Sequence, residues 1–257
     1  CSSLTSITIP DGVTDIGDHA FHYCSSLTSI TIPDGVTDIG DYAFHYCSSL
    51  TSITIPDSVT SIGVHEFYYC ISLTSIVIPN SVTSIRDWAF CDCSSLTSIT
   101  IPDSVTSIGD YAFCGCDGLP SITIPSSVIS IGTGVFCECS SLTSITIPDS
   151  VTRIGYDAFA DCDSLILYVA KDSYAQKYAE ENSFSYTLVS DTSVNTVADA
   201  DSDIVSDENP DKKSDKKSKS SSKSGESKPF VWIIIVAVVV VAVGARVAVL
   251  IIKKKKK

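Results

Sequence analysis

The stretch Cys24–Tyr46, CSSLTSITIPDGVTDIGDYAFHY, decides the fold. Its pattern returns every 23 residues, with cysteines at 1, 24, 47, 70, 93, 116, 139 and 162. With each of these as position 1, Leu holds position 4 in all eight copies, from Leu4 to Leu165. Ile holds positions 7, 9 and 16, Pro position 10, Val position 13 and Phe position 21 in all seven complete copies. A strict period of this length marks a stacked-repeat architecture.

One 23-residue coil is too small to bury its own apolar side chains. Stacked coils place Leu4 on Leu27 on Leu50, and the Ile, Val and Phe columns likewise, so one continuous core forms with nearest-neighbour stability. At roughly 4.7–4.9 Å between strands, seven coils make a rod of about 35 Å. Within a coil, L-T-S-I-T-I reads as a short strand ended by Pro10, and V-T-S-I as a second. Pro10-Asp11-Gly12 is a turn. Gly17 permits a bend, and the D-Y-A-F segment is expected to make one helical or 3₁₀ turn.

These residues resemble the BspA-like, Treponema-type leucine-rich repeats, whose pattern runs L-x-x-I-x-I-P, V-x-x-I-G-x-x-A-F, C-x-x-L. The match covers 1–165. The resemblance implies a leucine-rich-repeat solenoid of short strands with little helix. It also implies a surface protein that binds proteins or other cells, with no catalytic residues and no cofactor.

After the last repeat, Leu165–Ala170 reads as a final strand. Ser173 with Gln176 suggests a capping box opening a helix Tyr174–Glu181, with Tyr174 and Tyr178 on one face. Phe184–Val189 reads as a closing strand. Residues 166–189 are therefore expected to be the C-terminal cap. The chain has no Met and opens at Cys1 inside a repeat, so it reads as a fragment without an N-terminal cap.

Residues 190–229, rich in Ser, Asp and Lys, are expected to be a disordered linker, since they offer too little apolar surface to offset chain entropy. Phe230–Ile252 carries one charge, Arg246, and is long enough for a single transmembrane helix. Lys253–Lys257 would then be a basic cytoplasmic tail. That orientation leaves the repeats extracellular, on a single-pass protein of the cell membrane. Seven Lys in 212–228 weaken the charge argument, so orientation leans on the resemblance. No L-P-x-T-G motif precedes the apolar run.

The formal net charge is −13, and residues 1–165 hold 18 acidic side chains against Arg86 and Arg153. Phosphate binding needs clustered Lys and Arg, so no nucleic-acid partner is expected. The position-1 cysteines line up one per coil, which suits buried thiols bonded to backbone better than a tetrahedral metal site. A second column at position 22 reads His22, His45, Tyr68, Cys91, Cys114, Cys137, Ala160. Its cysteines are also read as core thiols, with a cross-coil disulfide such as Cys91–Cys114, or a metal site, as alternatives. His65 and Glu66 in V-H-E-F read as surface variation, since no nucleophile joins them. Asp at position 11 reads as turn capping rather than calcium binding, and Thr at 5, 8 and 14 as ladders bonded to one another.

Positions 18–23 vary most. Asp18, His19, Tyr42, His65, Trp88 and Tyr111 are the candidate ligand-binding surface, because exposed aromatics dominate binding energies. The partner class is a protein or a cell-surface polymer. The alternative is a spacer that presents a further N-terminal domain, possibly an enzyme. No catalytic constellation stands in the sequence itself.

Overall fold

The computed structural model describes residues 1–189, where the chain winds into a stack of parallel coils, one per repeat. Strands occur in chain order at Asp15–Ile16 (β1), Ser29–Thr31 (β2), Asp38–Ile39 (β3), Ser52–Thr54 (β4), Ser61–Ile62 (β5), Ser75–Val77 (β6), Ser84–Ile85 (β7) and Ser98–Thr100 (β8). They continue at Ser107–Ile108 (β9), Ser121–Thr123 (β10), Ser130–Ile131 (β11), Ser144–Ile147 (β12), Arg153–Ile154 (β13) and Ile166–Ala170 (β14). A helix, Tyr174–Asn182 (α1), and a last strand, Ser185–Val189 (β15), complete the described chain. Even-numbered strands up to β12 come from positions 6–9 and odd-numbered ones up to β13 from positions 15–16, so each coil offers two ladder sides. Pairing is parallel and advances by one repeat, as in Ser29 to Ser52 and Ser84 to Ser107.

The core is the set of columns. Leu27, Leu50, Leu73, Leu96, Leu119 and Leu142 are fully buried, and the Val and Ile columns are nearly so. Burying one such side chain stabilises by roughly 1.5–3 kcal/mol, and every coil contributes the same set. Phe21 to Phe159 form one stack with ring centroids 5.3–5.9 Å apart. It ends where Tyr178 and Phe184 meet Phe159 edge-on at 6.0 and 5.8 Å.

The position-1 cysteines are buried free thiols from Cys24 onward. Each from Cys47 to Cys162 donates its S–H to a Phe carbonyl, as Cys93 does to Phe67 at 3.2 Å. Burial pushes the Cys47 thiol up to about 12 and Cys162 to about 11, so these groups are poor nucleophiles.

The third side, positions 17–23, corrects the expected helical or 3₁₀ turn: it is a run of tight turns. Position 19 is left-handed in every complete coil (His19 φ 57°, Trp88 φ 59°, Gly134 φ 57°), and so is position 23 (Tyr46 φ 60°, Asp92 φ 59°, Gly115 φ 70°). A left-handed residue cannot continue a right-handed helical turn. It does aim N–H groups along the stack: His19, Phe21 and Tyr23 donate to Asp41, Ala43 and His45 carbonyls at 3.0, 2.8 and 2.9 Å.

Two further expectations change. The Thr hydroxyls at positions 5 and 14 do not bond one another; they donate to the backbone carbonyl one coil back, as Thr51 does to Thr28 and Thr106 to Thr83. Among the described residues the Asp side chains at position 11 make no hydrogen bond. The turn is tied instead by the Ser after them, as when Ser104 donates to Val82 at 2.6 Å.

Each ladder breaks once. The first side runs β2-β4-β6-β8, then resumes as β10-β12-β14-β15. Between β8 and β10 lies Pro120, which replaces the position-5 Thr and has no N–H to give Thr97. The second side pairs β1 with β3, then resumes at β5. There Glu66 is responsible, as shown below.

Beyond the coils, β14 pairs with β12 and β15 with β14. Ser173 caps α1 by accepting from Gln176 N–H at 3.1 Å, while the Gln176 side chain accepts from Asp172 N–H at 2.7 Å. Buried Ala175 and Ala179 lay α1 over the end of the stack. Among the described residues no helix is long and apolar enough to cross a membrane. The segments 190–229, 230–252 and 253–257, and hence the expected transmembrane helix, lie outside the described residues.

Replacing Pro120 with Thr restores the missing donor. The expected result in amide hydrogen exchange is a protected amide at position 120 and slower exchange through Ser98–Thr100; unchanged exchange there would show that Pro120 does not cause the break.

Candidate binding surface

The stack converts each sequence position into a line on the surface. At position 18, Asp41 N–H donates to Asp18 Oδ1 at 2.9 Å, Val64 N–H to Asp41 at 2.8 Å, Asp110 N–H to Asp87 at 2.9 Å and Thr133 N–H to Asp110 at 2.7 Å. Asp18 is thus exposed but already bonded to the next coil, with one carboxylate oxygen committed to the fold.

Position 19 brings His19, Tyr42, His65, Trp88 and Tyr111 together. Successive ring centroids are 4.7, 4.7, 5.6 and 4.2 Å apart, and the planes lie within 21° of each other. His19 is exposed and the other four are half-buried. Their faces cover one another, so this line presents ring edges to solvent, with Tyr hydroxyls and imidazole nitrogens among them. The ladder ends at Gly134, over which the Tyr111 ring leans so closely that an added Cβ would make the ring shift.

Two more aromatic columns flank this one; position 22 was singled out from the sequence only for its cysteines, and the tyrosines of position 23 were not named. At position 22, His22 and His45 lie 4.7 Å apart, and His45 and Tyr68 stack at 4.9 Å. At position 23, Tyr23, Tyr46 and Tyr69 stack at 4.8 and 4.6 Å. All four histidines of the chain stand in this plate. Burial, then the neighbouring His22, His65 and His19, lower the His45 pKa to about 4. Burial likewise lowers His65, against the pull of Asp87 and Asp41. His45 and His65 are therefore held toward the neutral imidazole form. The signal for these columns was present in the sequence as a run of aromatics at fixed offsets.

Glu66 overturns the surface reading of V-H-E-F. It occupies position 20, which is Ala or Val in every other complete coil, and it is fully buried. Its Oε2 accepts from Gly63 N–H at 2.6 Å, while Oε1 has no partner. The position-17 N–H of Gly40, Arg86, Gly109, Gly132 and Gly155 donates instead to the Ile carbonyl one coil back. Glu66 has captured that donor in the third coil, which is why β3 and β5 do not pair. Arg86 reaches across this joint from the fourth coil to Asp41 in the second, at 2.9 Å.

The position-22 cysteines also depart from the expectation of free core thiols. Cys114 and Cys137 form a disulfide between adjacent coils, at a Cα separation of 4.7 Å, and Cys91 remains a buried free thiol. The cross-coil alternative was right in kind, but its partner is Cys137 rather than Cys91. Among the described residues no group of three His, Cys, Asp or Glu side chains is placed to hold a metal ion.

Columns of Leu, Ile, Val and Phe wound on parallel ladders, with a variable strip on one side, define a leucine-rich-repeat solenoid. The model of the BspA type leucine-rich repeat region matches residues 1–119 and 60–190. The chain belongs to that family. It is similar to a leucine-rich repeat protein from Bacteroides ovatus, with 35% identity, TM-score 0.57, and 66% of this chain covering 50% of that one. It is also similar to the leucine-rich repeat protein of T. pallidum, with 27% identity, TM-score 0.60, and 71% of this chain covering 85% of that one. The pneumococcal antigen PcpA shares the fold at 22% identity and TM-score 0.54, with 70% of this chain covering 47% of that one. This chain thus spans about half the length of the Bacteroides relative. No curated protein matches it in sequence.

Burial raises the Glu66 pKa to about 8 from an ordinary carboxylate value. The Glu66 contribution to folding stability is then fully present below about pH 4.5, where both states are protonated, and is lost as pH rises through 8. The loss over that window is on the order of 4 kcal/mol if the unfolded carboxyl is unperturbed. Glu66→Ala should raise Tm at pH 8 and flatten this dependence in melts between pH 5 and 9; an equal or lower Tm at pH 8 would contradict it. His45 acts oppositely. Its stabilising contribution is full above about 6.5 and lost as pH falls through 4, so His45→Leu should soften the acid limb of the same curve.

Proposed function

We propose that the chain is a cell-surface binding module. In this reading the repeat rod recognises a protein or a cell-surface polymer through the strip Asp18, His19, Tyr42, His65, Trp88 and Tyr111, widened by the columns at 22 and 23. The observation that carries it is the gathering of aromatic side chains into one plate on a repeat whose Leu, Ile, Val and Phe columns do not vary. Aromatics fixed in place lose little further side-chain freedom on binding, which favours their use as anchors. The deficit of basic residues in 1–165 favours a neutral or cationic partner and disfavours nucleic acid.

The membrane attachment belongs to the same proposal. Residues 230–252 would hold the rod to the cell membrane by a single span, with the repeats outside and Lys253–Lys257 inside. The support is length and apolarity of that segment.

The test is binding of the full chain to an array of extracellular matrix proteins and cell-wall polysaccharides at physiological salt. A true ligand should lose roughly tenfold or more in affinity on Trp88→Ala or Tyr42→Ala, the cost typical of an interface anchor. Ligands bound equally well by both variants would remove this strip as the site. Protease shaving of intact cells should release the repeats if they are outside; their survival would overturn the orientation.

A further inference from the structure

The disulfide Cys114–Cys137 lies between the fifth and sixth coils, and Pro120 has interrupted the first-side ladder between the same two coils. A shallow groove of about 400 Å³ lies over this joint, lined by Thr97–Ile101, Asp103 and Ser121–Ser126. Ile99 beside it is the one position-7 Ile beyond the first coil that is not fully covered. The disulfide therefore staples the one joint whose first side has no strand pairing.

A third cysteine stands in the same column. Asp92 N–H donates to the Cys114 carbonyl at 2.8 Å, and Gly115 N–H donates to the Cys137 carbonyl at 2.8 Å. Cys91 is thus related to Cys114 as Cys114 is to Cys137. The three cysteines form a separate buried cluster, packed against Tyr68, Trp88, Tyr111 and Ala160. Cys91 Sγ lies 3.8 Å from Asp92 Oδ2.

We infer that Cys91, Cys114 and Cys137 are a thiol–disulfide exchange column in which Cys114 is shared, so that the crosslink can move one coil and unstaple the Pro120 joint. Cys91 gives its proton to solvent, and its thiolate attacks Cys114 Sγ. The Cys91–Cys114 bond forms as Cys114–Cys137 breaks, and Cys137 leaves as a thiolate and takes up a proton. One disulfide and one thiol stand on each side, so no outside oxidant is needed. Attack on a disulfide sulfur runs in line with the bond that breaks, and Cys91 stands one coil from Cys114 on the side away from Cys137. Burial, then the Asp92 carboxylate, hold the Cys91 thiol protonated, with Glu138 a further nearby charge. The exchange is accordingly slow at neutral pH, and Asp92 is its positioning residue.

The consequence reaches the groove. With Cys114 joined to Cys91, the fourth and fifth coils are linked, and the fifth and sixth keep their core columns, the second-side pairing of β9 with β11, the turn bonds and the Thr133–Asp110 and Ser127–Val105 hydrogen bonds but lose their covalent tie. The groove walls then separate more freely. The inference does not rest on the proposed function, although the cysteine cluster packs against Trp88 and Tyr111 of the strip.

The experiment is disulfide mapping on the full chain, by peptic digestion at acid pH and mass spectrometry without reduction. Wild type incubated at pH 9 is expected to show Cys91–Cys114 peptides beside Cys114–Cys137. Asp92→Asn should reach that mixture roughly tenfold sooner, as a lower thiol pKa exposes more thiolate. Cys137→Ser should carry Cys91–Cys114 and exchange amide hydrogens faster at Ser98–Thr100 and Ser121–Thr123 than wild type. Cys91 trapped wholly as a free thiol in the wild type at pH 9 overturns the exchange, whether or not Cys137→Ser folds. Unchanged amide exchange in a Cys137→Ser chain carrying the moved bond overturns the link to the joint.

Discussion

Everything in this molecule depends on one relation: each coil hydrogen-bonds to the coil 23 residues away, in register. A coil alone leaves its strand edges and turn amides open. Stacked, it satisfies them on three sides, through the two strand ladders and through the left-handed turns that point N–H groups along the axis. The same register forces identical side chains into columns. It makes the Phe stack, the Leu and Ile columns and the Cys thiols into continuous rows, and it makes any departure from the repeat a defect at a known joint. Stability in such a stack is a sum of coils and interfaces, so a defect weakens its own joint before any other.

The two defects are instructive because each acts by removing one donor. Pro120 has no N–H to offer, and Glu66 diverts the N–H of Gly63 into its own carboxylate. In both places a side-chain link crosses the weakened joint: Arg86 to Asp41 at one, Cys114 to Cys137 at the other. They are not equal. The Arg86 pair is substantially exposed, and such pairs contribute about 0–1 kcal/mol. The disulfide is covalent and, over a 23-residue loop, restricts the unfolded chain by an amount on the order of 3 kcal/mol. The N-terminal joint is thus the softer of the two, and it carries the buried carboxyl.

Much of this was legible in the sequence because periodicity reports burial directly. A column of Leu or Phe at constant spacing can be only core, and Ser173 with Gln176 marks the start of α1 by local chemistry alone. Hydrogen-bond direction was less legible. Thr hydroxyls were expected to bond one another, yet the backbone carbonyl one coil back is the nearer and stronger acceptor. Aspartate was expected to tie the position-11 turn, yet the following Ser does so. Glu66 was misread because its neighbours in sequence, Val64 and His65, lie near the surface; its neighbours in the column, Ala43 and Ala89, are buried, and the column governs. The choice of Cys137 over Cys91 was not legible, since the two stand in equivalent relation to Cys114.

The left-handed turns bear on why the aromatic strip exists. Positions 19 and 23 require φ near +60°, which costs a side chain with a Cβ roughly 1–2 kcal/mol. Glycine would avoid that cost, and Gly134 and Gly115 show that glycine fits both positions. Five coils nevertheless carry His, Tyr or Trp at position 19. Ring stacking returns about 0.5–1.5 kcal/mol per pair, and there are four pairs for five strained residues. The strain, about 5–10 kcal/mol in all, outweighs the stacking return of about 2–6 kcal/mol, so fold stability alone gives no reason to prefer rings over glycine. Backbone strain that stability does not explain is a pointer to use at the surface. The ladder form also constrains that use. Because the faces cover one another, a partner meets a row of ring edges, hydroxyls and imidazole nitrogens, one set per coil. A ligand suited to it is extended along the rod and offers polar groups repeatedly, which favours a polymer or an unfolded segment over a single compact epitope.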